Sequence, residues 1–322
     1  MTKTVSIIIP FKNEREAQLG IALSSINTQI GVDFSKIEVI LVNDGGDKLN
    51  LEQFSVFENL DLHYYEIENV GPGLARQYGI DNSKGEYLMF IDSDDMLYYA
   101  AALSEFFSVI QSKKHDMIVA KFMEQYLDTK GNYQYKISAA NNNSAVYAKW
   151  FKRTYLKEIN LQFHPKLRIY EDSYFVGVAS QLSTDSYYLD KVVYTWLYNT
   201  NSIGRKEANT HDRYLHVKAL QCRLYLEAVR EKQPQNFPNG VRDYMVTYLI
   251  DTFMRYSSYP LVNEDEFWIE HRKLFQKFAE SCPKYSPILQ SIVESAKKAP
   301  QSQWKAVDTS KFQDFMIKSG LQ

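Results

Sequence analysis

The stretch YLMFIDSDDML, residues 87–97, runs from apolar residues into three carboxylates, Asp92, Asp94 and Asp95, packed into four positions. Two unit charges at about 4 Å repel by roughly 1 kcal/mol even in water, and by more where the dielectric falls. A bound divalent cation reverses the sign of that term. The apolar half has the continuous hydrophobicity of a strand buried on both faces of a parallel sheet. Carboxylates just past the end of such a strand lie where ligands of these sheets bind. The plainer reading is helix capping: an Asp at the strand end can N-cap a helix over YYAAALSEFF, and acids suit a helix's first turn. Capping accounts for one Asp and not for three. A hard oxygen-liganded cation, Mg²⁺ or Mn²⁺, which shares its sites between one or two carboxylates and substrate phosphates, accounts for the cluster.

Outward from this stretch, short β-branched runs alternate with helix-like segments through the first 120 residues, the pattern of βαβ units. The runs are VSIII (5–9), IEVILVN (37–43), LHYYEI (62–67), EYLMFID (86–92) and DMIVAKF (116–122). Helical periodicity fills 13–29, 73–83 and 98–112. The predicted fold class is α/β with a mostly parallel central sheet and flanking helices. Beyond residue 120 the sequence predicts a hairpin turning at Lys130-Gly131-Asn132, a helix over AKWFKRTYLKEI (148–159), a helix over EDSYFVGVASQLS (171–183) and closing strands over SYYLDKVVYTWLYN (186–199). From His211 only helical segments follow, separated by the Pro- and Asn-rich breaks QPQNFPNG, SYPLVN and CPKYSP. Two domains are therefore expected, 1–210 and an all-helical 211–322.

The chain of 322 residues carries a net charge of −2, which argues against a broad electrostatic grip on nucleic acid or an anionic membrane. Cys222 and Cys282 are the only cysteines, too few for a disulfide framework or a thiolate metal site, and they read as buried or idle thiols in a reducing compartment. No stretch approaches the ~20 apolar residues of a membrane span, so the expected location is cytoplasmic or at most peripheral at the inner membrane face.

Other polar clusters follow the strands. NDGGDK (43–48) ends the second strand in an acid and a Gly pair that suit a base or ribose contact, although Asn-Asp-Gly-Gly is turn chemistry by itself. GPGLARQYGI (71–80) sets two Gly before a helix and Arg76 near its start, where N–H groups and a guanidinium can face a diphosphate; the plainer reading is a loop before an amphipathic helix with a solvated Arg. IYEDSYF (169–175) places Glu171 and Asp172 side by side at a helix start; an acid here suits either a general base or the helix dipole. YNTNSIGRKEANTHDR (198–213) offers Ser202, Arg205, Lys206 and His211 for closing over phosphates, and His211 as a nitrogen ligand or an ordinary surface residue.

An apolar strand leading to Asp-x-Asp also resembles the nucleophile motif of haloacid-dehalogenase-type phosphatases. Those carry it on the first strand and follow it with small residues and Thr; here it lies on the fourth and is followed by Asp95-Met96. The order and spacing of VSIIIPFKNE, IEVILVNDGG, GPGLARQYGI, GEYLMFIDSDD, the Lys152-Arg153 segment, IYEDSYF and NSIGR instead resemble the family 2 glycosyltransferases, over roughly residues 5–205. That family usually reads Asp-Asp-Gly-Ser after its second strand, where this chain has Asn43-Asp44-Gly45-Gly46. The resemblance implies the GT-A fold and inverting transfer from a nucleotide-diphosphate sugar, with a UDP-sugar as the expected donor and Mn²⁺ or Mg²⁺ as cofactor. It further implies that Pro10, Asn13 and Glu14 line the nucleotide pocket and that Asp44 contacts base or ribose. Arg76 would reach the base or diphosphate, and Asp92, Ser93 and Asp95 the donor, with Asp95 serving donor or acceptor. Asp94 would hold the metal with His211 beside it, Arg205 would steady the departing diphosphate, and Asp172 would be the catalytic base.

The implied acceptor is a saccharide, polyol phosphate or glycoconjugate in bacterial cell-surface polysaccharide, teichoic acid or glycoconjugate synthesis, with no nucleic-acid partner. A metal-dependent phosphotransfer or nucleotidyltransfer enzyme is the alternative chemistry; it needs its own phosphate-binding Lys or nucleophile pattern, which the sequence does not offer. A non-catalytic carbohydrate-binding protein on the same fold is the alternative class. The aromatic helices over 240–280 suggest a homo-oligomer through the C-terminal region.

Overall fold

The computed structural model describes residues 2–14, 16–200, 211–235, 237–278, 287–300 and 302–321, with backbone only at 211, 238, 239 and 287. The chain divides into two compact units, Met1–Asn199 and Thr200–Gln322. The first is built on strands β1 (Val5–Phe11), β2 (Ile37–Asp44), β3 (Leu62–Ile67) and β4 (Tyr87–Phe90), which pair in parallel in the order β3-β2-β1-β4. Every residue of β1, β2 and β4 is buried, as their unbroken apolar runs require of strands covered on both faces. Pro10 sits in β1 without breaking the ladder. Ile8 faces β4 by accepting the Ile91 N–H, so Pro10, two residues on, faces the same side beyond β4's last paired residue.

Past β4 the sheet becomes mixed. Its order continues β4-β8-β6-β9-β5, where β5 is Met96–Leu97, β6 is Met117–Leu127, β8 is Lys149–Lys152 and β9 is Ser186–Trp196; β7 (Tyr133–Ile137) pairs with β6 alone. The predicted hairpin is the β6–β7 turn, closed by Asp128, whose carboxylate accepts the N–H groups of Lys130 and Asn132 around Gly131 at φ 82°. AKWFKRTYLKEI is not one helix: Lys149–Lys152 forms β8, antiparallel to both β4 and β6, and only Arg153–Glu158 is helical, α4 in chain order. Trp150 and Phe151 are fully buried on opposite faces of the sheet, a placement that period-two alternation allows and a short helix does not.

Helices α1 (Glu16–Asn27) and α3 (Ala102–Ser112) cover one face, packing with Ile7, Ile9, Val39, Leu41, Met89 and Trp150. Helices α2 (Pro72–Asp81) and α5 (Glu171–Leu182) cover the other. Ile8 approaches so closely that a Cβ on Gly79 of α2 would stand 2.4 Å from its Cγ2, and Phe90, Phe151, Phe163 and Phe175 form one ring cluster under α5. This shared face brings the starts of α2 and α5 together.

The second unit is helical: α6 (Leu215–Lys232), α7 (Phe237–Ser258), α8 (Glu264–Lys277), α9 (Pro287–Lys298) and α10 (Phe312–Lys318). Its core holds Leu215, Met245, Leu249, Phe253, Phe267, Leu274, Val293 and Phe312, so many of the aromatic residues of 240–280 face inward. Cys222 is buried and accepts the Tyr244 hydroxyl at 3.3 Å, and burial pushes its thiol up to about 11; Cys282 lies outside the described residues. Among the described residues no helix is long and apolar enough to cross a membrane.

Candidate active site

The three carboxylates after β4 separate into different environments. Asp95 turns inward, 1% exposed, and its carboxylate accepts the Tyr194 hydroxyl at 2.6 Å and the Leu197 N–H at 2.8 Å. Burial, and then the charges of Asp92 and Asp94, push its pKa well above the ordinary carboxylate value. Tyr194 also accepts the Asp92 N–H at 3.1 Å and stacks on Tyr147 with ring centroids 4.5 Å apart, so β9 fixes the turn from behind. Asp92 and Asp94 stay half-exposed. Asp94 accepts from the Asn199 amide at 2.7 Å, and its pKa is raised by burial, with Asp92 and Glu14 adding to the rise and Asn199 opposing it. Capping explains none of the three: α3 begins at Ala102, and its cap residue Ala101 makes no side-chain bond.

Arg76 joins this turn to α5. Its Nη2 donates to Asp92 at 2.8 Å and its Nη1 to Glu171 at 3.0 Å, while its buried Nε has no hydrogen-bond partner. Burial opposes its charge, but Asp92 and Glu171 outweigh that and raise its pKa. Burial, then Asp172, push Glu171 upward against the pull of Arg76. The bridge needs Gly73, because a Cβ there would stand 2.9 Å from Glu171 Cγ. Asp172 follows in the first turn of α5, its Oδ1 accepting the Ser173 N–H at 2.6 Å. The turn is entered through Tyr170 in the left-handed region, φ 61°, an uncommon conformation for a bulky residue that aims the two acids.

Asp44 is 5% exposed and its carboxylate accepts the N–H groups of Val70 at 2.7 Å and Gly71 at 3.0 Å, which anchors the loop leading into α2. Asn43 closes its own turn, accepting from Gly46 N–H and donating to the Asp47 carbonyl. Pro10 is buried in β1, Asn13 is exposed, and Glu14 accepts the Lys12 N–H at 2.8 Å with its charge felt at Asp94. Ser93 is 4% exposed. Arg205, with Ser202 and Lys206, lies outside the described residues, as does the side chain of His211. Arg76, Asp92, Asp94, Glu14 and Asp172 are thus brought into one charged neighbourhood by contact or by mutual field.

Four residues of this neighbourhood escaped the reading of site residues. Glu171 was visible only as half of an acidic pair, and Tyr194 and Asn199 act across 99 and 105 positions, beyond any local pattern. Lys149 is fully buried, donating to the carbonyls of Ala145 at 2.7 Å and Tyr147 at 3.4 Å. Burial lowers its pKa to about 7 and the Asp172 charge pulls it back up. Its signal was a lysine inside a run that alternates with buried rings.

Compared with known proteins, the profile described as "Glycosyl transferase family 2" matches residues 6–180. The glycosyltransferase GlyA of Streptococcus pneumoniae is 25% identical over 249 residues, 70% of this chain and 34% of GlyA. The poly(ribitol-phosphate) beta-N-acetylglucosaminyltransferase TarP of Staphylococcus aureus is 28% identical over 192 residues, 54% of this chain and 56% of TarP. The chain therefore spans about a third of the length of GlyA and little over half that of TarP. Among solved structures, S. aureus TarS 1–349 in complex with UDP-GlcNAc has a TM-score of 0.66 at 17% identity, covering 99% of this chain and 92% of that one, a likeness of fold.

Proposed function

We propose, for a chain that belongs to glycosyl transferase family 2 and carries the GT-A fold of a glycosyltransferase, that it moves a sugar from a UDP-sugar to an acceptor hydroxyl with inversion, in building a teichoic-acid-type or related cell-surface polymer. The UDP-GlcNAc in the TarS complex supports the donor class, and the poly(ribitol-phosphate) in TarP's name supports the acceptor class. The observation that carries the reading is the Arg76 bridge, which holds the carboxylate turn after β4 and the acids of α5 as one unit.

A divalent cation, Mn²⁺ or Mg²⁺, fits the oxygen donors present. Asp94 is raised by burial and by Asp92 and Glu14, a concentration of negative charge that a cation relieves. Among the described residues no three His, Cys, Asp or Glu side chains gather in ligating range, so such a cation would have to draw its remaining ligands from phosphate oxygens and water. Asp94 would hold it, and when bound it would supply positive charge for a departing diphosphate.

The chain's own groups then perform the transfer. Arg76 fixes Asp92 and so the donor side of the turn, and Ser173 N–H fixes the orientation of the Asp172 carboxylate. Asp172 accepts the proton of the acceptor hydroxyl as that oxygen bonds the anomeric carbon. The anomeric carbon–phosphate oxygen bond breaks on the opposite face, and its electron pair leaves with UDP.

A thermal-shift panel of UDP, GDP, CDP and TDP with and without Mn²⁺ tests the donor. UDP alone should raise the melting temperature, and only with metal and with Asp94 intact; a shift of RT ln(1 + [L]/Kd) amounts to ~2.7 kcal/mol at a hundredfold excess. Asp172→Asn should keep that shift and lose turnover of the UDP-sugar. No nucleotide shift in the wild type, or full turnover in the variant, would refute the reading.

A further inference from the structure

Strand β6 runs past β8 and, after Glu124, past β9, so its last residues pair with β7 alone as a two-stranded ribbon. The directly opposed pairs Met123–Ile137, Gln125–Tyr135 and Leu127–Tyr133 put these six side chains on one face. Tyr133, Tyr135 and Ile137 are 57%, 55% and 56% exposed, although β-strands normally turn their aromatic and branched residues toward a core. Single exposed apolar residues are ordinary. Three in register on one face form a patch of the kind that marks a binding surface.

The position of the patch says what it serves. Gln125 accepts the Tyr198 N–H at 3.0 Å through Oε1 and donates to the Tyr135 hydroxyl at 3.1 Å through Nε2, and the Tyr133 ring lies 6.2 Å from that of Tyr198. The next residue, Asn199, is the one that donates to Asp94. The patch is therefore continuous with the carboxylate turn through two consecutive residues. These six side chains carry no ionisable group other than phenols: two flat rings, two hydroxyls, one amide, and apolar Met123, Leu127 and Ile137; the next residue of β6 on that side, Lys121, is ion-paired with Asp190. Flat rings with polar tips suit the C–H face and hydroxyl edge of a pyranose, while a face without cations offers nothing to a polyanion.

We propose that this face of the β6–β7 ribbon binds the acceptor as a neutral saccharide chain and directs its end toward Asp94 and Asp172. The assignment rests on the glycosyltransferase reading and, among its acceptors, takes the saccharide of a related cell-surface polymer over the polyol phosphate that TarP's name suggests. Because the side chains are exposed, replacing them leaves the core untouched, and the variant Tyr133→Ala/Tyr135→Ala is expected to fold.

The test is saturation-transfer NMR on the full chain with chitotriose, maltotriose, cellotriose and poly(ribitol phosphate), alongside the UDP and Mn²⁺ thermal shift. At least one trisaccharide should receive saturation from the wild type and lose at least tenfold in affinity in the double variant, whose UDP shift should equal that of the wild type. No transfer to any trisaccharide, equal transfer in the variant, or binding of poly(ribitol phosphate) alone would overturn the proposal. Trisaccharide binding that the variant loses, in a wild type that shows no UDP shift, would leave the saccharide surface standing and refute the transferase reading instead.

Discussion

The Tyr194 hydroxyl acts twice, accepting the Asp92 N–H and donating to Asp95, and so ties two of the three carboxylates to one atom of β9. Tyr194→Phe removes that atom and leaves the buried Asp95 with Leu197 N–H as its remaining described partner. An unmet buried polar group costs about 1–3 kcal/mol, so urea unfolding should show a loss of that size, and Mn²⁺ titration should show weaker binding because the turn is released. Unchanged stability and unchanged Mn²⁺ binding would mean that the turn holds itself. Arg76 is the stronger case. Removing one partner of a buried charge pair costs about 3–5 kcal/mol, because the other charge is left uncompensated. Arg76→Met, close in length but uncharged, is expected to lose stability on that scale by urea unfolding, and Glu171→Gln in the same background should restore part of it. If the double variant is no more stable than Arg76→Met alone, the two groups are not energetically coupled. The sequence pointed to more than capping for DSDD, but not to Asp95 facing inward, because the group that draws it there lies 99 residues away. Glu171 was equally hidden: its partner on α2 is 95 positions distant, and locally it looks like any acid at a helix start.

At the scale of elements, local chemistry was legible wherever it sufficed. The apolar runs of β1, β2 and β4 and the Asp128 turn are written in adjacent residues, and the structure has them where the sequence puts them. Strand β8 is the counterexample, since its four residues become extended only because β4 and β6 leave a slot whose two edges need hydrogen-bond partners. Glycines separate the two kinds of cause. A Cβ on Gly46 would stand 1.2 Å from the Lys12 carbonyl oxygen, so the turn after β2 can cross the end of β1 only without a side chain. Gly20 in α1 has nothing within 4 Å of its Cβ position, so there glycine carries only its helix-propensity penalty. Gly46→Ala is expected to cost more than about 4 kcal/mol or to abolish folding, while Gly20→Ala should gain about 1 kcal/mol. Melting curves of the two variants, one falling and one rising, check the pair; two shifts of the same sign would refute the account.

Across the whole molecule, the two units differ in what makes them readable. The helical unit repeats one rule, apolar residues at 3.6-residue spacing between Pro- and Asn-rich breaks, and its core follows from that rule. What the rule omits is a polar group buried among the rings. His271 is fully buried against Phe267, Trp268, Phe275 and Phe315, and its two ring nitrogens meet the Tyr248 and Ser319 hydroxyls, each at 2.9 Å. Ser319 donates its own proton to the Phe315 carbonyl, so it accepts from His271 Nε2–H, and Nδ1 accepts from Tyr248. A second proton on the ring would face the Tyr248 O–H, and burial, aided by Arg272, accordingly lowers the histidine pKa from 6.5 to about 3. The unfolded chain binds that proton as pH falls below 6.5 and the folded chain does not until about 3. Stability from this group is therefore complete above 6.5 and declines as pH drops through that window, with a limiting slope of about 1.4 kcal/mol per pH unit. Between pH 6.5 and 5 the wild type should lose about 2 kcal/mol from this source, and His271→Gln, which cannot titrate, should lose correspondingly less. Calorimetry of both full-length chains at the two pH values measures the difference. Parallel pH dependence would show that the folded core admits the proton after all.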